Sequence, residues 1–76
     1  MTDRQFWNIA DAYEEYDKES MQSFIPEKNY KALVEDIVRA NKRNYDECIA
    51  DLGLFNFGDY EGIPEYCVTL CKELCK

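Results

Sequence analysis

The sequence predicts an all-α fold: one small bundle of about four helices, two of them short, with an aromatic-rich loop before the last. Three observations carry this expectation. The run Tyr30–Arg39 places Tyr30, Leu33, Val34, Ile37 and Val38 on one side of a helix and Lys31, Glu35, Arg39 and Lys42 across the other. Thr2 with Gln5, and Asn44 with Glu47, have the spacing of a capping box, a local signal for a helix start. Finally, Pro64 is followed by Tyr66, Cys67, Leu70, Cys71, Leu74 and Cys75, a broad apolar sweep at helical period.

The first helix is expected from about Asp3, with Phe6, Ile9, Ala10, Tyr13 and Tyr16 as its apolar stripe and Trp7 on the flank. Asp17 would point into that stripe. An unpaired buried carboxylate is costly, so the helix is expected to end near Tyr16. Glu19–Pro26 reads as a connector, with Met21, Phe24 and Ile25 available to pack on the core.

The central helix is expected from Pro26 to about Asn41. Glu35 lies four residues before Arg39, in register for a helical ion pair, and Arg39, Lys42 and Arg43 gather where the helix dipole favours cations. A third, short helix should carry Tyr45, Cys48, Ile49 and Leu52 inward and end at Gly53. Leu54–Ile63 has two glycines and no helical period, and reads as a loop rich in large apolar side chains. Residues 1–76 are thus expected to form a single acidic helical domain. A chain of this length hides only about 60% of its unfolded surface, so its core is modest.

The chain carries nine basic and sixteen acidic residues, net charge −7, and no histidine. Such a surface repels phosphates and anionic lipid, which argues against direct nucleic-acid or membrane binding and favours a basic partner. The charge is segregated. Residues 1–25 are net −4, 26–44 net +2 and 45–76 net −5. The polar start, Met1–Gln5, does not resemble a secretory signal, and no apolar run approaches the ~20 residues that span a bilayer. Thr2 is incompatible with myristoylation, and Cys75 is misplaced for prenylation. A cytoplasmic protein with reduced thiols is expected.

Cys67, Cys71 and Cys75 recur every fourth residue, with Cys48 elsewhere. Thiols four apart on a helix can reach one ion, but the pattern lacks the paired Cys-x-x-Cys of strong zinc motifs. The expectation is therefore core packing, with a thiolate metal module as a further alternative. Without histidine the usual general base near neutral pH is missing, and no Gly-rich phosphate loop is present. Cys67, in the first turn after Pro64, is the nearest thing to an activated nucleophile. Asn56, Asp59 and Glu61 lack the alternating ligands of a calcium loop. No catalytic, cofactor-binding or metal-ligating residue is assigned, and the chain is not expected to be an enzyme.

The expectation is instead a protein-binding module. Asp11, Glu14, Glu15, Asp59 and Glu61 would supply charge, and Phe57 or Tyr60 an aromatic anchor. Tyrosines among carboxylates, as in Asp11–Asp17, can imitate the charge spacing of a nucleic-acid backbone and block a basic groove on a nucleic-acid-handling enzyme. Acidic inhibitors encoded by phages and mobile elements share this composition. The rival expectation is a structural or assembly subunit that forms homo-oligomers or docks through exposed aromatics.

Overall fold

The computed structural model describes the whole chain, Met1 to Lys76. Its elements run α1 (Asp3–Tyr13), β1 (Glu15–Asp17), β2 (Gln22–Phe24), a 3₁₀ turn (Glu27–Asn29), α2 (Tyr30–Ala40), α3 (Tyr45–Leu52) and α4 (Glu65–Leu74). The fold is predominantly helical, but it is not the all-α bundle expected. β1 and β2 pair antiparallel, with Glu15 opposite Phe24, Tyr16 opposite Ser23 and Asp17 opposite Gln22.

The centre of the molecule is α2, against which α1, α3 and α4 all pack. Its predicted apolar stripe is the buried one: Tyr30, Leu33, Val34, Ile37 and Val38 face the core. Ile25, Cys48, Leu52, Phe57, Cys67 and Cys71 complete one connected cluster. Burying this apolar surface is the main favourable term for a chain so short. No helix is long and apolar enough to cross a membrane.

Local chemistry explains the boundaries. The Thr2 hydroxyl accepts from the Gln5 N–H at 3.2 Å while the Gln5 side chain accepts from the Thr2 N–H at 2.9 Å, a complete capping box. At the other end, α1 stops at Tyr13, three residues short of the expected point, and Asn29 Nδ2 donates to the freed Tyr13 carbonyl at 2.8 Å. The chain then enters the hairpin, where Asp17 takes a role unrelated to a helix face. Its carboxylate accepts the Glu19 N–H at 2.9 Å across the turn. Met21 completes that turn with φ 55°, a left-handed conformation that bulky residues rarely adopt.

The central helix also differs from expectation. Its first turn is the separate 3₁₀ segment, and α2 proper begins at Tyr30. Arg39 pairs with Asp36, three residues back, at 3.3 Å instead of with Glu35. After Ala40 the chain reverses through Lys42 and Arg43, both at positive φ. Asn41, beneath this reversal, is the one buried polar side chain. It accepts from the Met1 amino group at 3.1 Å and donates to Asp51 at 2.8 Å, tying the N-terminus and α3 to the end of α2.

Asn44 caps α3 by accepting from the Glu47 N–H at 3.2 Å. Gly53 follows the helix at φ −64°, so the turn there makes no use of glycine's conformational freedom. Phe57, expected among the partner anchors, is fully buried against Tyr30, with ring centroids 5.3 Å apart and edge to face. A core this small recruits one of the large aromatic side chains of the loop. Tyr66, placed by the helical wheel in the apolar sweep, is instead exposed.

Candidate functional site

The hairpin and the 54–63 loop lie side by side, held by backbone and side-chain bonds from one residue. The Asn56 carbonyl accepts the Ile25 N–H at 2.6 Å, and Asn56 Nδ2 donates to the Ser23 carbonyl at 2.9 Å. Next along the loop, Gly58 at φ +59° turns the chain so that Tyr60 N–H returns to the Phe57 carbonyl at 3.1 Å. That tight turn buries Phe57 and leaves Asp59 and Tyr60 exposed on its outer side. On the other flank, Phe6 of α1 stacks on Phe55 with centroids 4.9 Å apart.

These contacts create two grooves that meet at Asn56. One, of about 460 Å³, lies between α1, β2 and the loop, with Phe6, Trp7, Leu54 and Phe55 in its walls and Glu14 at its rim. The other, of about 360 Å³, is polar and carries Asp17 and Asp59. One carboxylate from the first acidic stretch and one from the last therefore line the same groove. Asp17 is held below the usual carboxylate range by hydrogen bonds from the Ser20 hydroxyl and the Glu19 N–H.

Of the sequence-predicted residues, Glu14 lines the apolar groove and Asp59 the acidic one. Asp11, Glu15, Tyr60 and Glu61 are exposed on the same three segments without lining either groove. Phe57 belongs to the core and cannot anchor a partner. Glu15 is joined to Lys28 at 2.9 Å, a pair exposed on both sides and worth little. Asp36 holds the only other ion pair, so fourteen of the sixteen carboxylates have no basic partner.

Sequence reasoning missed Trp7 as a member of the site; Asp17 and Leu54 fell within the acidic and apolar stretches it singled out but were not among the residues it assigned. Trp7 and Leu54 are more than half exposed, as are Tyr16, Met21 and Tyr60. Five of the six large exposed apolar side chains thus belong to α1, the hairpin or the loop, with Tyr66 as the sixth. The one available signal was Asp17, whose position made no sense on a continuous helix.

On other elements, α3 and α4, three cysteines come together. The Sγ atoms of Cys48, Cys71 and Cys75 all lie within 4.8 Å of one another, and Cys71 and Cys75 are 4.0 Å apart. All four cysteines are free thiols. Cys67, grouped with Cys71 and Cys75 by its spacing, is as buried as Cys71 but lies outside the cluster. Burial raises the thiols of Cys48 and Cys71, with Cys71 and Cys75 raising Cys48 further and Cys75 raising Cys71 further against a smaller opposing contribution from Cys48, and it pushes Cys67 up to about 11. Thiols in this state are poor nucleophiles at neutral pH.

Comparison with protein-family models, with curated proteins and with solved structures finds no match.

Proposed function

We propose that this protein works by binding and not by catalysis: the face made by α1, the hairpin and the 54–63 loop engages a basic surface on a partner protein. The observation that carries the reading is that Asp17 and Asp59, from two sequence-distant acidic stretches, line one groove that meets an open apolar groove at Asn56. Residues 3–24 and 54–63 together hold eight acids and two bases, net −6, nearly the whole charge of the chain. Carboxylates around exposed Trp and Tyr give steering by charge and a local apolar anchor. The partner surface that best matches this combination is a nucleic-acid-binding groove, whose cationic lining is spaced to meet a row of negative charges. Occupying it would inhibit the partner.

The test is capture from the native cell with the full chain as bait, repeated across salt. The expected partner is recovered at low ionic strength, competes with nucleic acid for the bait, and is lost steeply toward moderate salt. Binding that ignores salt, or that nucleic acid leaves untouched, would rule the reading out. The rival reading of a self-assembling subunit draws on the same exposed groove, and a dimer or higher species at micromolar concentration that survives high salt would favour it.

A further inference from the structure

We propose that Cys48, Cys71 and Cys75 form a binding site for one soft divalent cation of the zinc class, held by three thiolates. The site lies on α3 and α4, shares no residue with either groove of the docking face, and stands independently of it.

Geometry comes first. At a zinc–sulfur distance of about 2.3 Å, the sulfurs of a tetrahedral or trigonal thiolate site lie about 3.8–4.0 Å apart. Cys71 and Cys75 already stand at 4.0 Å. Cys48 arrives from another helix, and no sulfur in the trio is further than 4.8 Å from the others. Closing on an ion therefore asks for a contraction of at most about 1 Å, within the reach of thiol rotamers.

Packing alone does not account for this aim. Cys67 provides the contrast, being one turn before Cys71 on the same helix and equally buried, yet not directed at the other sulfurs. Nor do the three thiols have stronger partners. Cys48 donates weakly to the Ile37 carbonyl at 3.8 Å, and Cys71 and Cys75 face each other.

Charge and access select the ion. Three thiolates around a divalent cation leave one net negative charge in a partly buried site, whereas a monovalent ion would leave two. Cys75, at the end of α4, is only partly buried, which opens a path for entry and admits a water as fourth ligand. Loading breaks three S–H bonds, forms three metal–sulfur bonds and releases three protons to solvent. Because protons compete with the ion for the sulfurs, uptake strengthens as pH rises.

The experiment titrates the full, reduced chain, kept in a non-chelating phosphine, with Zn²⁺ against a chromophoric chelator and with Cd²⁺ by thiolate charge-transfer absorption. The expected result is one ion per chain, close to three protons released per ion, and a raised unfolding temperature. Cys48→Ser and Cys75→Ser should each lower affinity at least about tenfold, while Cys67→Ser leaves it unchanged. Cys75 is only half-buried, so its variant keeps the test valid even if Cys48→Ser fails to fold. Sub-stoichiometric uptake, full affinity in Cys75→Ser, or an equal loss in Cys67→Ser would each overturn the proposal.

Discussion

Asn56 and Ser23, thirty-three positions apart in the chain, are joined by a 2.9 Å hydrogen bond from the Asn56 side chain to the Ser23 carbonyl. With the adjacent 2.6 Å bond from the Ile25 N–H to the Asn56 carbonyl, it holds the hairpin against the loop, and Asp17 and Asp59 from these two segments line one groove. Both grooves of the docking face include Asn56. Replacing it by alanine removes the side-chain bond at an exposed seam, costing about 0.5–1.5 kcal/mol of stability. If the seam positions the face, Asn56→Ala should weaken partner binding while the folded fraction at assay temperature stays essentially complete. Unfolding by urea and affinity by titration, measured on the same preparation, separate the two effects.

Phe57 and Tyr60 sit three residues apart on opposite sides of the Gly58 turn, and their roles divide accordingly. Phe57 is fully buried against Tyr30, so Phe57→Ala should cost about 3–5 kcal/mol, a large part of what so small a domain has. Tyr60 is exposed, so Tyr60→Ala should change stability by no more than about 0.5 kcal/mol. Only the second variant is informative about partner binding. A thermal scan in which the two behave alike would contradict the burial of Phe57.

The same pair shows which features were legible in the sequence. A 3.6-residue period is averaged over many positions, so the five inward residues of α2 and the Thr2–Gln5 cap could be read directly. The hairpin could not. Its strands are three residues each, with Glu15, Tyr16, Gln22 and Ser23 exposed, so neither shows an alternating apolar face. Its turn uses Met21 at positive φ where glycine or asparagine would have been the signal. In the loop, Phe57 and Tyr60 are equivalent to any composition argument, and only the backbone turn sends one in and the other out. The thiol trio combines an i, i+4 pair that spacing can suggest with Cys48, whose approach depends on how α3 and α4 meet.

Asn41 joins three segments from a nearly fully buried position, which makes it a sensitive point in the scaffold. Asn41→Ala would leave the Asp51 carboxylate without its 2.8 Å donor and the Met1 amino group without its acceptor. A loss of about 1–3 kcal/mol is expected, the usual result of stranding buried polar groups. Asn41→Asp should be worse, because it places a second carboxylate against Asp51. Chemical denaturation at neutral pH distinguishes the two. An Asp variant as stable as wild type would mean that the Met1 amino group, and not Asp51, is the important contact.

Alkaline pH should destabilise the fold, through the cysteines. The Cys67 thiol, ordinarily near 9, is pushed up to about 11 by burial, and Cys48 and Cys71 are raised as well. Between these values the unfolded chain loses protons that the folded chain keeps, so unfolding gains as pH rises. The contribution of each thiol is fully present below about pH 8.5 and is lost progressively toward the raised value. Unfolding midpoints of the reduced, metal-free protein should therefore fall from pH 8 to pH 10.5. In Cys67→Ala the slope should be shallower, although that variant starts from a lower stability because of the cavity it leaves. Deprotonation of Tyr13, whose hydroxyl donates to Asp36, is also disfavoured, first because that bond requires the proton. Its share appears only above the ordinary tyrosine range near 10, so Tyr13→Phe should leave the slope below pH 9.5 unchanged. A midpoint independent of pH across the thiol range would show that these cysteines are not shielded from solvent in the folded protein.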